Sequence, residues 1–377
     1  MPPPTILDVA RASHVSPSTV SLVISDHPRI PLSTKEKVRK KILELNYRPN
    51  ILARSLANGH TRILAVLIPP VENVFSDPFY VQALDGIYSV ARQKGYRIIL
   101  EVATQSFWTN GEHERLARER LCEGIIFVGG VSDEHKKLAA LADGEGLPVS
   151  VVGETPPRRF SKKIKMSGVY FVSGDNFKGG YIATKYLIDS GHRRIAHIYG
   201  NPSVNSVMER LAGYRRALEE SGIKYDARLV VRGDFKELDS YLALKNLLES
   251  VRLKPTAVFA GNDIMASGAM RAAKDLSLKI PEDFSVIGMD DIAGSETFEP
   301  PLTTVKYPVY AMGSAGALKV MEKLESNNKN FKKEISSRGC HAEKSQDNIH
   351  LMDVALVVRK SVSVFKSPGK NFSHKKT

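Results

Sequence analysis

The stretch Thr5-Ile6-Leu7-Asp8-Val9-Ala10-Arg11-Ala12-Ser13-His14-Val15-Ser16-Pro17-Ser18-Thr19-Val20-Ser21-Leu22-Val23-Ile24 carries two helical periods separated by a break. Thr5 offers a cap hydroxyl, and Asp8 follows three residues later, near the positive helix end. Ile6, Val9 and Ala10 recur at i, i+3 and i+4, which makes one apolar face. Ala12 to Val15 leave room only for a tight turn. Ser16-Pro17 then supplies a cap hydroxyl and an N1 proline for a second helix. Val20, Val23 and Ile24 form its buried side, and Pro17, Ser18, Ser21, Leu22 and Ser25 fall opposite. Pro28, Pro31 and Ser33-Thr34-Lys35-Glu36 break the chain and recap it. Val38, Ile42 and Leu45 are the stripe of a third helix. Two helices across a turn of about four residues, braced by a third, make a helix-turn-helix. A small bundle that only packs on a neighbour would show the same periods. The short side chains opposite the core favour DNA, because they let a helix sit deep in a major groove.

Charge points the same way. The 377 residues carry a formal charge of +13, of which residues 1–62 hold +6 and residues 326–377 hold +7, so the middle is neutral. A basic headpiece on a neutral body directs electrostatic attraction to one end, as phosphate binding requires. Cys122 and Cys340 are the only cysteines and form no C-x-x-C pair, so neither a disulfide framework nor a zinc site is expected. Met1-Pro2-Pro3-Pro4 has no secretory character, and no run of about 18 apolar residues occurs. The expectation is a cytoplasmic protein.

Four blocks, in order, are more specific than the periods. Asp8-Val9-Ala10, Val15-Ser16-Pro17-Ser18-Thr19-Val20-Ser21, Leu45-Asn46-Tyr47-Arg48-Pro49-Asn50 and Leu52-Ala53-Arg54-Ser55-Leu56 closely resemble the DNA-binding headpiece and hinge of the LacI/GalR family of bacterial transcriptional regulators. The resemblance implies DNA contacts at Thr5, Ser16, Pro17, Ser18, Thr19, Ser21, Leu22, Tyr47, Asn50 and Ala53. It also implies a hinge helix, folded when a dimer binds, whose Leu56 wedges into the minor groove. A plain tether is the alternative for the hinge. Two departures stand out. The family commonly has glycine where this chain has His14, and histidine in the left-handed region costs about 1 kcal/mol. It commonly has an effector-gripping arginine two residues before Arg210, where this chain has Met208.

Beyond the hinge, short apolar strands alternate with helical stretches. Ile63–Ile68, Arg97–Val102, Ile125–Val128 and Val149–Val152 make one series. Ile195–Tyr199, Leu229–Val231, Ala257–Ala260 and Val286–Met289 make a second. The alternation implies parallel sheets covered on both faces. The expected fold is therefore a helix-turn-helix headpiece plus an α/β body of two doubly wound parallel-sheet lobes, periplasmic-binding-protein-like. The expected divisions are a headpiece at 1–48, hinge and linker at 49–61, body at 62–365, and a basic tail at 366–377. Residues 326–350 lack periodicity, Leu356–Ser361 resembles the family's last strand, and Ser363–Thr377 reads as an unstructured end.

Ligands of such bodies sit at strand carboxyl ends. The positions matching the family's effector site are Phe79, Tyr80, Met208, Asn262 and Asp290. Aromatic rings stack, and Asn or Asp accepts from hydroxyl or N–H groups. Asp263 either contacts the ligand or caps the helix that starts at Ile264. No catalytic set, phosphate loop or metal cluster is visible, so no enzyme and no cofactor are expected. The expected function is a sequence-specific DNA-binding regulator, a repressor, controlled by a sugar or related metabolite and acting as a homodimer on operator DNA. A solute-binding module and an α/β enzyme are the alternatives. Salt-sensitive retention on heparin would separate the first from both.

Overall fold

The computed structural model describes residues 4–24, 26–48, 61–156, 168–327 and 348–365. The chain divides into two compact units, Met1–Arg62 and Ile63–Thr377.

The first unit holds α1 (Ile6–Ser13), α2 (Pro17–Ile24) and α3 (Leu32–Glu44). Asp8 closes the start of α1, taking the Thr5 N–H at 2.9 Å and the Thr5 hydroxyl at 2.7 Å. The helix runs through Ser13, so the break is shorter than Ala12–Val15. His14 ends it in the left-handed conformation, at φ 51° and ψ 46°. The Val15 N–H then reaches back to the Ala10 carbonyl at 3.1 Å, a Schellman closure that satisfies an orphan carbonyl. Val9, Val20, Val23 and Val38 are buried together, with Ile6, Val15, Ile24, Ile42, Leu45 and Tyr47 packed around them.

The second unit has two lobes. In lobe 1 the strands are β1 (Ile63–Ile68), β2 (Arg97–Val102), β3 (Gly124–Val128), β4 (Val149–Val152), β5 (Val169–Gly174) and β11 (Ile349–Met352). They lie in the order β11-β5-β4-β3-β1-β2, every pair parallel. Helices α4 (Pro78–Gln93), α5 (Gln105–Thr109), α6 (Glu112–Arg118), α7 (Ser132–Glu145) and α12 (Val309–Asn327) belong to this lobe. Lobe 2 has β6 (Ile195–Tyr199), β7 (Val230–Arg232), β8 (Ala257–Ala260) and β9 (Ser285–Ile287) in the parallel order β7-β6-β8-β9. Its helices are α8 (Asn176–Asp189), α9 (Asn205–Glu220), α10 (Glu237–Ser250) and α11 (Asp263–Asp275). An antiparallel ladder of β10 (Thr304–Lys306) with β12 (Ala355–Val357) lies beside β9 through a bridge at Ile287 and Thr303.

Among the described residues, three connections pass between the lobes: from β5 to α8, from β10 to α12, and from β11 to β12. In both sheets the order reverses beside the first strand, so the loops after β1 and β3 and after β6 and β8 open the crevices in which ligands bind. Two expectations for the C-terminal region need correction. The last strand is Ala355–Val357, and the chain bends at Ser361, whose hydroxyl donates to the Val286 carbonyl at 2.6 Å. Ser363–Phe365 is ordered rather than loose. The Phe365 N–H bonds the Ser190 carbonyl at 2.8 Å, and its ring packs 5.4 Å from His192. The rest of the expected tail lies outside the described residues. Among those residues, no helix is long and apolar enough to cross a membrane.

Candidate functional site

Two places gather the residues singled out above. On the first unit, the Ser16 hydroxyl caps α2 by accepting the Thr19 N–H at 3.1 Å, and it also bonds the Thr19 hydroxyl at 2.9 Å. With the helix start fixed, Pro17, Ser18 and Leu22 stand exposed on one side while Val20 and Val23 are buried on the other. Thr19 and Ser21 are half-buried at the margins of that face. Thr5 is engaged with Asp8, and Tyr47 packs partly into the headpiece core. Beyond α2, Asp26 takes Lys35 at 2.9 Å and Arg39 at 2.8 Å, and these partners, Lys35 first, hold its carboxyl below the usual range. Asn50, Ala53 and Leu56 lie outside the described residues.

In the second unit the crossings bring distant residues onto one buried arginine. Arg210, 7 % exposed on α9, donates through Nε to Asn176 Oδ1 at 2.9 Å and through Nη1 to the Gly261 carbonyl. Its Nη2 stands 3.6 Å from Asp290 Oδ1, an oxygen with no hydrogen-bond partner among the described residues. Its guanidinium lies 5.1 Å from the Tyr307 ring centroid. Tyr307, in the β10–α12 crossing, receives the Gly174 N–H at 3.2 Å and Asn176 Nδ2 at 3.1 Å, and its hydroxyl pairs with Ser173 at 3.0 Å. One residue from each of two crossings therefore meets Arg210.

Asp290 has φ 125°, a region that favours glycine. Strain of this kind costs on the order of 1–3 kcal/mol and persists only where the surroundings over-determine it. Here β10 does so: the Asp290 N–H bonds the Val305 carbonyl at 2.8 Å, and its carbonyl takes the Tyr307 N–H at 3.2 Å. Burial pushes the Asp290 carboxyl up, and Arg210 pulls it back. Asp291 is a brace, bound to Arg359 at 2.6 Å.

The other candidates stand at helix starts, Phe79 and Tyr80 in the first turn of α4, Asn262 and Asp263 at that of α11, and Met208 in that of α9. Asp77 caps α4 by accepting the Phe79 N–H at 2.9 Å, and Pro78 occupies the first turn. Phe79 and Tyr80 meet edge to face at 5.2 Å. Phe79 covers Gly153, where a Cβ would fall 2.6 Å from its Cζ, so only glycine admits the ring there. The Tyr80 hydroxyl is pushed upward by burial and then by the charges of Asp77, Glu154 and Glu134. Asn262 caps α11, its Oδ1 accepting the Met265 N–H at 2.8 Å. Asp263 is not that cap. It is buried within lobe 2, taking the Thr304 hydroxyl at 2.5 Å and the Ile292 N–H at 3.0 Å, with burial raising it to about 6. Met208 is 43 % exposed and is not drawn into the cluster.

Arg210, Asn176 and Tyr307 were not singled out from sequence. The signal for the arginine lies in the helix period: Val207, Leu211, Tyr214 and Leu218 mark the inward face, and position 210, three residues after Val207 and four before Tyr214, falls on it while position 208 turns away. Asn176 follows a strand end and would have been found had β5 been recognised.

The description "Bacterial regulatory proteins, lacI family" matches residues 5–50, and "Periplasmic binding protein-like domain" matches residues 184–340. The HTH-type transcriptional repressor PurR of Vibrio atlanticus is 34 % identical over 322 residues, covering 85 % of this chain and 92 % of that one. A solved complex of the transcriptional regulator CelR with cellobiose is 30 % identical with a TM-score of 0.64, covering 95 % and 99 %. The Lac repressor dimer bound to operator and the anti-inducer ONPF is 25 % identical with a TM-score of 0.78, covering 96 % and 99 %. On the headpiece match, and on a repressor similar over most of both lengths, this chain belongs to the LacI family of bacterial regulatory proteins and is a DNA-binding transcription regulator.

Proposed function

We propose that the chain is a cytoplasmic, homodimeric repressor without catalytic activity, whose hold on operator DNA is set by a sugar or related metabolite bound between the lobes. The observation that carries this reading is the buried Arg210–Asp290 pair, held in strained geometry at the lobe crossings. A buried guanidinium beside a carboxyl that burial holds toward its neutral form, with Asp290 Oδ1 left without a hydrogen bond among the described residues, offers donors on one side and an acceptor on the other, as a polyhydroxy ligand needs. Phe79 and Tyr80 supply an aromatic ledge for a ring, and Asn262 supplies a further donor. Relatives with cellobiose and with ribose bound support the ligand class. Pro17, Ser18 and Leu22 would read base edges in the major groove, Ser16, Thr19 and Ser21 would meet phosphates beside them, and Leu56 of each subunit would kink the centre of a pseudo-palindrome. Ligand binding would bias the lobes and so the hinge.

A thermal-shift screen of mono- and disaccharides tests the effector half. A ligand at about 100 times its Kd stabilises the body by about 2.7 kcal/mol. Asp290→Asn should abolish that shift while leaving unliganded stability close to wild type. A mutant that answers with wild-type affinity would show that Asp290 has no ligand role.

A further inference from the structure

Helix α9 begins without a cap of its own. Its N-cap residue is Val204, which has no side-chain acceptor. The N–H groups of a first turn need partners, and the positive helix end favours an anion. Here the partner comes from the other lobe. Glu154 leaves the carboxyl end of β4 in lobe 1, where the Gly153 N–H is tied to the Val172 carbonyl at 2.8 Å. Its carboxylate takes the Ser206 N–H at 3.0 Å and the Ser206 hydroxyl at 2.6 Å. Thr155 adds a second stitch, donating to Glu209 Oε1 at 3.1 Å and accepting from Asn205 Nδ2 at 3.0 Å. At the rim Lys236 meets Glu72 at 3.1 Å, an exposed pair worth little. The buried stitch is different, because Glu154 is 3 % exposed and parting the lobes would hydrate it.

We propose that Glu154 is a latch between the lobes, and that closing the cleft over α9 is coupled to uptake of a proton on its carboxyl group. The charged and titratable groups that face it are Glu209 and Arg210 from α9, Tyr80 from α4, and Tyr307 from the β10–α12 connection. Burial outweighs the Ser206 bonds and the attraction of Arg210, and with Glu209 opposing the charge it lifts the carboxyl to about 7. In an open cleft the group is solvated and returns to about 4.3. The closed form thus holds a proton that the open form releases. Rising pH through this window favours opening and falling pH favours closure, by up to roughly 500-fold in the ratio of the two. A neutral carboxyl keeps both contacts, its carbonyl oxygen accepting from the Ser206 N–H and its O–H donating to the Ser206 hydroxyl. The latch operates whatever ligand the cleft takes.

The test measures lobe separation in the full chain without DNA or ligand. Nitroxides at Asp133→Cys in lobe 1 and Ser203→Cys in lobe 2, both exposed positions, report the distance by double electron–electron resonance in a Cys340→Ser background. Cys122 is buried with its thiol pushed up to about 11, which keeps it out of the labelling. Excess unlabelled chain removes distances between subunits. The wild-type latch should show a longer distance at about pH 8 than at about pH 5.5. Glu154→Gln, which keeps an acceptor for the Ser206 N–H but cannot ionise, should stay short at both. A wild-type distance that ignores pH, or a Glu154→Gln distance that follows it as wild type does, overturns the proposal.

Discussion

Leu22 presents an apolar side chain, 37 % exposed, on the face of α2 that also carries Pro17 and Ser18. Leucine cannot donate to a base edge, and the one apolar target in the major groove is the thymine methyl. Burying a methyl is worth about 0.8 kcal/mol, roughly fourfold in affinity. A selection on random duplexes should therefore return thymine opposite Leu22, and uracil in its place should weaken wild type about fourfold while leaving Leu22→Ala unchanged. If uracil costs neither protein anything and Leu22→Ala lowers the melting temperature, the leucine serves the headpiece core. The turn before the helix shows how much strain one residue accepts. His14 takes the left-handed conformation expected from its place in the turn, and the closure between Val15 and Ala10 holds it there.

Helices α8 and α9 touch backbone to backbone. A Cβ on Gly180 would lie 2.1 Å from the Arg210 carbonyl oxygen, and one on Gly213 would lie 2.1 Å from that of Phe177. Neither atom can move without moving a helix. Gly180→Ala should cost on the order of 1–3 kcal/mol in urea unfolding. Because the displaced turn is the one that aims Arg210, it should also reduce the thermal response to any sugar that stabilises wild type. Gly144, in α7, is the control: nothing lies within 4 Å of its added Cβ, so Gly144→Ala should be stabilising by up to about 1 kcal/mol. A Gly180→Ala protein as stable as wild type would mean that the helices are not in contact as described. The same scale explains what sequence could and could not deliver. β1 and β8 are unbroken apolar runs, ILAVLI between Arg62 and Pro69 and AVFA between Thr256 and Gly261, and their limits are visible in the string. Helix α12 is not, because Gly313, Gly316 and Ala317 on the side facing α4 and β4 dilute its period. β11 escapes for the opposite reason: it is a four-residue edge strand, mostly exposed, with no buried face to leave a pattern. At the site, the family resemblance marks Phe79, Tyr80, Asn262 and Asp290, of which Asn262 and Asp290 also follow strand ends closely. Arg210, Asn176 and Tyr307 come together only through connections between lobes, and no local period encodes which distant segments cross.

Across the whole body, buried groups of opposite tendency are set against each other. Burial lifts Glu154 to about 7 and Asp263 to about 6, so the folded body holds protons that the unfolded chain has lost. Stability from these two is fully present near pH 4 and is lost as pH rises through about 6 and 7. Burial also holds His135 and His197 down at about 4, each ring bonded through one nitrogen, to the Gly129 carbonyl at 2.9 Å and the Phe259 carbonyl at 2.9 Å. The unfolded chain protonates these rings below about 6.5, so their contribution is present above that pH and is lost as pH falls toward about 4. Between about pH 5 and 6.5 the carboxyls and the imidazoles pull in opposite directions. Asp290, which burial lifts to about 8, adds to the carboxyl side, so the body's stability should fall across this window, less steeply than the carboxyls alone would require. Glu154→Gln removes one falling contribution and leaves the histidines in place. The stability of the variant relative to wild type should then climb with pH by about 1.4 kcal/mol per unit across that window, the slope of one proton. Urea unfolding at three pH values reads this directly. Parallel curves for the two proteins would show that Glu154 is ionised in the folded state throughout, and that the attraction of Arg210 and the Ser206 bonds outweighs its burial.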